Sequence, residues 1–131
     1  MVANVLDRFE FRSVRANEAE EIAEIEKICF PPHEACSKKD MFERVEHAPE
    51  LFLVAVDKET GTIAGFLNGL ATDEEAFRDE FFTDITVHNP EGKNIFLLGL
   101  DVRPEYRRQG LAREIMNQYV KREQAKGRKM L

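Results

Sequence analysis

The sequence has few of the residues that mark fibrous, low-complexity or disulfide-rich proteins. Its 131 residues include 7 Gly, 5 Pro and 2 Cys. Cys29 and Cys36 form neither a CxxC pair nor a metal-spaced cluster, so we expect two reduced thiols and no metal site. With 43% hydrophobic residues, the chain is too apolar to be disordered. We therefore expect one globular domain over residues 1–131.

Long apolar runs are also missing. No stretch approaches the roughly 20 residues that a membrane-spanning helix needs. Residues 1–10 lack the basic and then apolar layout of a signal peptide. These absences favour a cytoplasmic protein with no membrane partner.

Charge is divided unevenly along the chain. The net charge of −6 combines about −12 over residues 1–102 with about +6 over residues 103–131. A basic segment can bind nucleic acid, but here the basic residues alternate with helix-forming apolar residues and lack an aromatic stacking series. A local anionic ligand explains the segment better, and we expect no nucleic-acid partner.

The hydrophobic pattern predicts an α/β protein with a mixed sheet and the order β-α-α-β-β-β-α-β. Asn17 with Glu20, and Ser37 with Asp40, have the spacing of helix amino-terminal caps. The predicted strands cover residues 10–14, 51–56, 62–70 and 95–102, with a further strand beginning at 128–131. The predicted helices run from residue 17 to the prolines at 31–32, from 37 to 49 and from 110 to 126, with a possible short helix around 75–82.

The segment Leu100–Ala112 carries the clearest chemical signal. A buried strand leads into a basic turn, and the turn opens directly into an amphipathic helix. The first turn of a helix has unpaired amide hydrogens and a partial positive charge. Gly110 has no Cβ, so an anion can approach the backbone there, and Arg107 and Arg108 add positive charge. The spacing matches neither GxxxxGK[ST] nor GxGxxG, which argues against a nucleoside triphosphate or dinucleotide bound in those ways.

The pattern Arg107-x-x-Gly110-x-Ala112 is similar to the [QR]-x-x-G-x-[GA] signature of the GCN5-related N-acetyltransferase (GNAT) superfamily. The strand before it and the helix after it lie where that family has its fourth strand and third helix. The resemblance implies the GNAT-like acyl-CoA N-acyltransferase fold and acetyl-CoA (CoA) as cofactor. It also implies direct acetyl transfer to a primary amine of a small molecule or peptide.

The same resemblance assigns binding residues to this sequence. The pyrophosphate of CoA would be held by the signature loop and the first turn of its helix. Main-chain groups of Leu100 and Val102 would hold the pantetheine arm. The Leu100 amide would also donate to the thioester oxygen, which makes it the predicted catalytic group. The loop and helix residues implied are Arg107, Arg108, Gln109, Gly110, Leu111 and Ala112.

Three segments resemble the arylalkylamine branch of this superfamily, namely residues 30–37, 47–52 and 88–92. The likeness implies that Phe30, Pro31 and Pro32 line the amine pocket. That branch has catalytic histidines on its fourth strand, where this sequence has Phe96 and Leu98. The general base therefore stays unidentified.

Two carboxylates are candidate bases, Glu34 and Asp101. The three histidines, His33, His47 and His88, are instead predicted to be surface or packing residues. Tyr119 is predicted to pack in the core, and Tyr106 to anchor its loop.

Members of this family continue through a complete fifth strand, a fourth helix and two more strands. The resemblance therefore implies that residues 1–131 form a GNAT-like domain that is incomplete at its carboxyl end. It also leaves open a homodimer in which a second chain supplies the missing strands. The alternative to an enzyme is a non-catalytic CoA-binding or interaction module that a second chain completes.

Overall fold

The computed structural model describes residues 5–76 and 87–130, and its element order is the predicted one. The helix expected around residues 75–82 falls largely outside these ranges. Among the described residues, no helix is both long and apolar enough to cross a membrane. The strands are β1 (Phe9–Arg12), β2 (Phe52–Asp57), β3 (Ile63–Thr72), β4 (Asn94–Val102) and β5 (Lys129–Met130). The helices are α1 (Ala19–Cys29), α2 (Lys38–His47) and α3 (Leu111–Ala125).

The strands form one mixed sheet in the order β1-β2-β3-β4-β5. Neighbours are antiparallel from β1 to β4, and β5 is parallel to β4. Helices α1 and α2 pack on one face around Phe52 and Phe66, and α3 packs on the other face around Leu53 and Leu67. The predicted α/β class with a mixed sheet is therefore confirmed.

The two amino-terminal helices begin differently. Ser37 caps α2 as predicted, because its hydroxyl accepts the Asp40 N–H at 3.1 Å. Asn17 does not cap α1, so that prediction was wrong. A 3-10 turn over Ala16–Glu18 comes first, and the Glu18 carboxylate accepts the Arg15 N–H at 2.7 Å. Glu18, at the third position of the turn, thus has the role that the prediction gave to Glu20.

A β-bulge interrupts the β3–β4 pairing. Asn68 pairs with Gly99 and Gly69 pairs with Leu97, so Leu98 is the extra residue. Bulges bend a strand and redirect its side chains. Within the described ranges, β5 pairs with β4 only at Asn94 and Ile95. No described strand pairs with the rest of this edge of β4.

The burial of α3 departs from its predicted pattern at two positions. Leu111, Ile115 and Tyr119 are buried as expected, but Ala112 is exposed and Glu123 is completely buried. The helical period predicts Ala112 on the apolar face with Leu111, Ile115 and Tyr119, and Glu123 on the opposite, charged face. Both of these predictions are wrong. The Glu123 carboxylate is buried because three cations pair with it, from Arg122, Lys126 and Arg128.

Candidate active site

Hydrogen bonds anchor the basic loop between β4 and α3 to strands β3 and β2. Arg103 donates its backbone N–H to the Ala64 carbonyl at 2.8 Å and its Nε to the Ile63 carbonyl at 2.8 Å. Tyr106 donates its hydroxyl to the buried Asp57 carboxylate at 2.7 Å. The hydrogen bond from Arg8, together with the one from Tyr106, holds the pKa of Asp57 well below its usual range. The loop is thus a fixed platform for the residues that follow it.

Positive backbone φ angles shape the end of this loop. Arg108 has φ of +64° and Gly110 has φ of +80°. In the part of the chain that the structure describes, no protein acceptor is bonded to the backbone N–H groups of Arg108, Gly110, Leu111 or Ala112. A Cβ built on Gly110 would meet nothing within 4 Å. Clustered free amides beside open space at a helix amino terminus fit a diphosphate.

The two arginines of the signature differ in position. Arg107 turns back toward the strand, where its Nε donates to the Val102 carbonyl at 2.9 Å. The Cys29 thiol donates to the same carbonyl at 3.3 Å. Arg108 is exposed beside the free amides. The Val102 carbonyl thus already accepts two hydrogen bonds. A ligand would therefore bind the N–H of Val102 rather than its carbonyl.

Leu100 presents its main chain to the unpaired edge of β4. The bond from Arg103 to Ala64 fixes which pairs of the antiparallel β3–β4 ladder are hydrogen-bonded. Such pairs alternate along the ladder, so the N–H and C=O of Leu100 and Val102 point away from β3. The Leu100 N–H, which is the predicted oxyanion donor, therefore lies on the unpaired edge of β4, just beyond the bulge at Leu98.

A cavity of about 500 Å³ lies between α1, α2 and the β4 bulge. Phe30 lines this cavity, whereas Pro32 lines a second cavity of about 510 Å³ beside it. Pro31 lines neither of these two cavities. The other residues lining the first cavity are Glu26, Glu34, Ala35, Cys36, Ser37, Asp40, Arg44, Asn68, Leu98 and Gly99.

Two buried polar groups lie in or next to the wall of the first cavity: Asn68 lines it, and Asp101 lies against its lining residue Gly99. Asn68 is 2% exposed, Asp101 is 1% exposed, and a Cβ on Gly99 would be 3.4 and 3.5 Å from their Oδ1 atoms. Within the described ranges the Asn68 Nδ2 has no hydrogen-bond partner, whereas the Asp101 carboxyl is hydrogen-bonded to that of Glu26. Burial, together with the neighbouring Glu26 carboxyl, raises the pKa of Asp101 far above its ordinary value. Asp101 is therefore protonated at neutral pH.

This raised pKa makes stability fall as pH rises. The unfolded chain ionises Asp101 near pH 4, while the folded chain keeps the proton, so the folded state binds more protons across that interval. We expect Asp101→Asn to stabilise the protein at pH 8 by at least about 1 kcal/mol, since one pKa unit is worth about 1.4 kcal/mol. At about pH 4 the two proteins should be nearly equal. Urea unfolding across pH measures this, with the exposed Asp7→Asn as control, and parallel profiles for Asp101→Asn and the parent would contradict it.

The histidines and Cys36 do not supply a reactive group at this site. The His88 side chain is 3% exposed, with Nε2 3.0 Å from Glu50 and Nδ1 accepting the Ala71 N–H. Burial raises the pKa of Cys36 to about 11, which keeps the thiol protonated. His33 and His47 are exposed. The predicted packing or surface role of the histidines is confirmed.

Residues 19–131 match the family model described as the Acetyltransferase (GNAT) family. The chain belongs to the GNAT family. The match covers most of the sequence, including the loop with the free amides and every element from α1 onward. The family assignment made from the Arg107–Ala112 signature is therefore confirmed.

Individual proteins similar to this GNAT chain agree on the fold. A Bacillus subtilis protein named probable hydrolase YhcX is 31% identical in an alignment of 114 positions that covers 79% of this chain and 22% of that protein. The loading GNATL domain of CurA from Lyngbya majuscula superposes with a TM-score of 0.74 at 14% identity, over 87% of this chain and 57% of the other. Diaminobutyrate acetyltransferase EctA from Paenibacillus lautus, solved with L-2,4-diaminobutyric acid and coenzyme A, gives 0.60 at 16%, over 86% and 56%. The chain thus spans about a fifth of the curated relative and over half of each solved chain.

Sequence reasoning missed Glu26 and Asn68. Glu26 lies four residues after Ile22 and three before Cys29, on the apolar stripe of α1. An acidic residue on such a stripe indicates a buried carboxyl group, and this signal could have identified Glu26. Its Oε2 accepts the Cys36 N–H at 2.8 Å and so fixes the loop after α1. Asn68 stands inside an otherwise apolar strand, which is the same kind of signal.

Proposed function

We propose that this domain binds acetyl-CoA and transfers its acetyl group directly to a primary amine of a small molecule. The observation that carries the proposal is the set of free backbone amides around Gly110, at the end of an unpaired strand edge. The backbone groups of Arg108, Gly110, Leu111 and Ala112 would hold the diphosphate. Arg107 ties the loop to β4 through the Val102 carbonyl, Gln109 belongs to the same loop, and the exposed Arg108 adds charge.

The proposed chemistry uses few groups of the chain. Bound acetyl-CoA supplies an activated acetyl thioester. The Leu100 N–H, which faces the open edge of β4, would donate to the carbonyl oxygen as negative charge develops there. The protonated thiol of Cys36 supports direct attack by the amine rather than a thiol intermediate.

The neighbouring cavity suits the amine. Its volume of about 500 Å³ is that of a small-molecule site, and Phe30 and Leu98 give it apolar walls. The buried acid Glu26 lines this cavity beside the protonated Asp101, and we infer that Glu26 accepts the proton that the amine loses. The diaminobutyric acid bound to EctA supports an amino compound as the acceptor class.

Two measurements test the function. Saturating acetyl-CoA should raise the melting temperature by several degrees, since a ligand at 100 times its Kd adds about 2.7 kcal/mol. Release of the CoA thiol, measured with a thiol-reactive dye, should then depend on added amine. No change in melting temperature would refute the proposal. Binding without amine-dependent thiol release would favour the non-catalytic CoA-binding module instead.

A further inference from the structure

The cavity between α1, α2 and the β4 bulge is strongly acidic. Glu26, Glu34 and Asp40 line it, and Arg44 is the one basic side chain among its lining residues. Asp101 lies behind the lining residue Gly99, but it is protonated and adds no charge. A ligand that fills this space meets more negative than positive charge.

Two buried polar side chains distinguish this cavity from a cluster of exposed acids on the surface. Asn68 lines the cavity at 2% exposure, and Asp101 lies against Gly99 at 1%. Within residues 5–76 and 87–130 the Asn68 Nδ2 has no hydrogen-bond partner, whereas the Asp101 carboxyl is hydrogen-bonded to that of Glu26. A buried polar group such as the Asn68 Nδ2 is normally satisfied, and a bound polar ligand would satisfy it. The Asn68 amide both donates and accepts, so it can bond an amine nitrogen in either protonation state.

We propose that the acetyl acceptor is a short diamine whose second amine remains charged and is bound by Asp40 and Glu34. This deepens the proposed function and rests on it. The amine that attacks a thioester must be neutral, so it brings no charge to the cavity. Arg44 offsets only one carboxylate, and a second ammonium on the substrate balances another.

The acids are arranged by depth. Glu26 is 7% exposed at the floor, Asp40 is half-buried, and the Glu34 side chain is 59% exposed at the rim. The reacting amine therefore belongs near Asn68 and the bulge, and the charged amine belongs toward the opening. Between them the hydrocarbon chain of the diamine would contact the apolar walls described above.

Calorimetric titration of the full chain with 1,4-diaminobutane and with 1-aminobutane tests the proposal, both with and without CoA. We expect the diamine to bind at least about 10-fold more tightly, a difference worth about 1.4 kcal/mol. The double variant Asp40→Asn/Glu34→Gln should reduce that preference to less than about 3-fold. The control Glu46→Gln removes an acid from the same helix that lines a different groove, and it should keep the preference.

The outcomes separate this proposal from the proposed function. Equal affinities for the two amines, or no binding of the diamine, would overturn the diamine site even if CoA binds and amines are acetylated. Failure of CoA to bind would refute the acetyltransferase, while the titration without CoA still judges the diamine site. Should the double variant fail to fold, Glu34→Gln alone, at an exposed position, should still lower the preference, and an unchanged preference would count against the proposal.

Discussion

Replacing Gly110 by glutamate should weaken acetyl-CoA binding at least about 100-fold, a loss of about 2.7 kcal/mol. The new side chain would enter the open space beside the free amides, and its carboxylate would repel a diphosphate there. A left-handed backbone at +80° adds a strain of about 1 kcal/mol for any residue with a Cβ. Titration with acetyl-CoA measures the affinity.

A matched control exists at the other end of the same helix. Gly127 has φ of +86°, and a Cβ there also meets nothing within 4 Å. Gly127→Glu should therefore cost similar backbone strain while leaving acetyl-CoA affinity within about 3-fold of the parent. If Gly110→Glu binds acetyl-CoA as well as Gly127→Glu does, the free amides of this loop are not the diphosphate site.

The anion site could be predicted because its parts are contiguous in sequence. Strand, basic turn, Gly110 and helix follow one another within 13 residues of the chain, from Leu100 to Ala112. Helix geometry alone then dictates where the free amides point. The order of the elements was also predictable, since each long apolar or amphipathic segment reports its own periodicity.

The acidic cavity could not be predicted in the same way. It combines α1, α2, the loop between them, β3 and the β4 bulge, and nothing in the local pattern says that Glu26 meets Asp101. A glycine inside a strand, such as Gly99, indicates either a bulge or close packing, and the structure has a bulge at the neighbouring Leu98. The consequence of that bulge, a floor open to Asn68, depends on the strand partner and therefore on tertiary structure.

The burial of Glu123, on the other side of the sheet, also depends on tertiary structure and could not be predicted from the sequence. The helical period places it with charged neighbours and predicts exposure. Its partner Arg128 follows the end of α3, where Gly127 turns the chain back, so the ion cluster forms only once that turn is made. Arg128 also donates to the carbonyls of Gly92 and Pro90, which ties the start of β5 to the loop before β4.

Glu123→Gln should therefore destabilise the protein by about 3 kcal/mol, because removing one partner of a buried ion cluster leaves the other charges uncompensated. Burial by itself would raise the pKa of Glu123, but the hydrogen bonds from Lys126 and Arg122 lower it overall. The parent should consequently lose this stabilisation as pH falls below about 4.3, the usual glutamate pKa, whereas the variant has none to lose.

Urea unfolding measures the first effect, and hydrogen exchange at Lys129 should report looser β5 pairing in the variant. Lys129 donates its N–H to the Lys93 carbonyl at 2.8 Å, so that bond senses whether β5 stays against the segment before β4. Glu114→Gln is the control, since its carboxylate lies on the same helix and accepts a hydrogen bond from Gln118. Equal stability of the two variants would mean that the Glu123 cluster does not hold β5 in place.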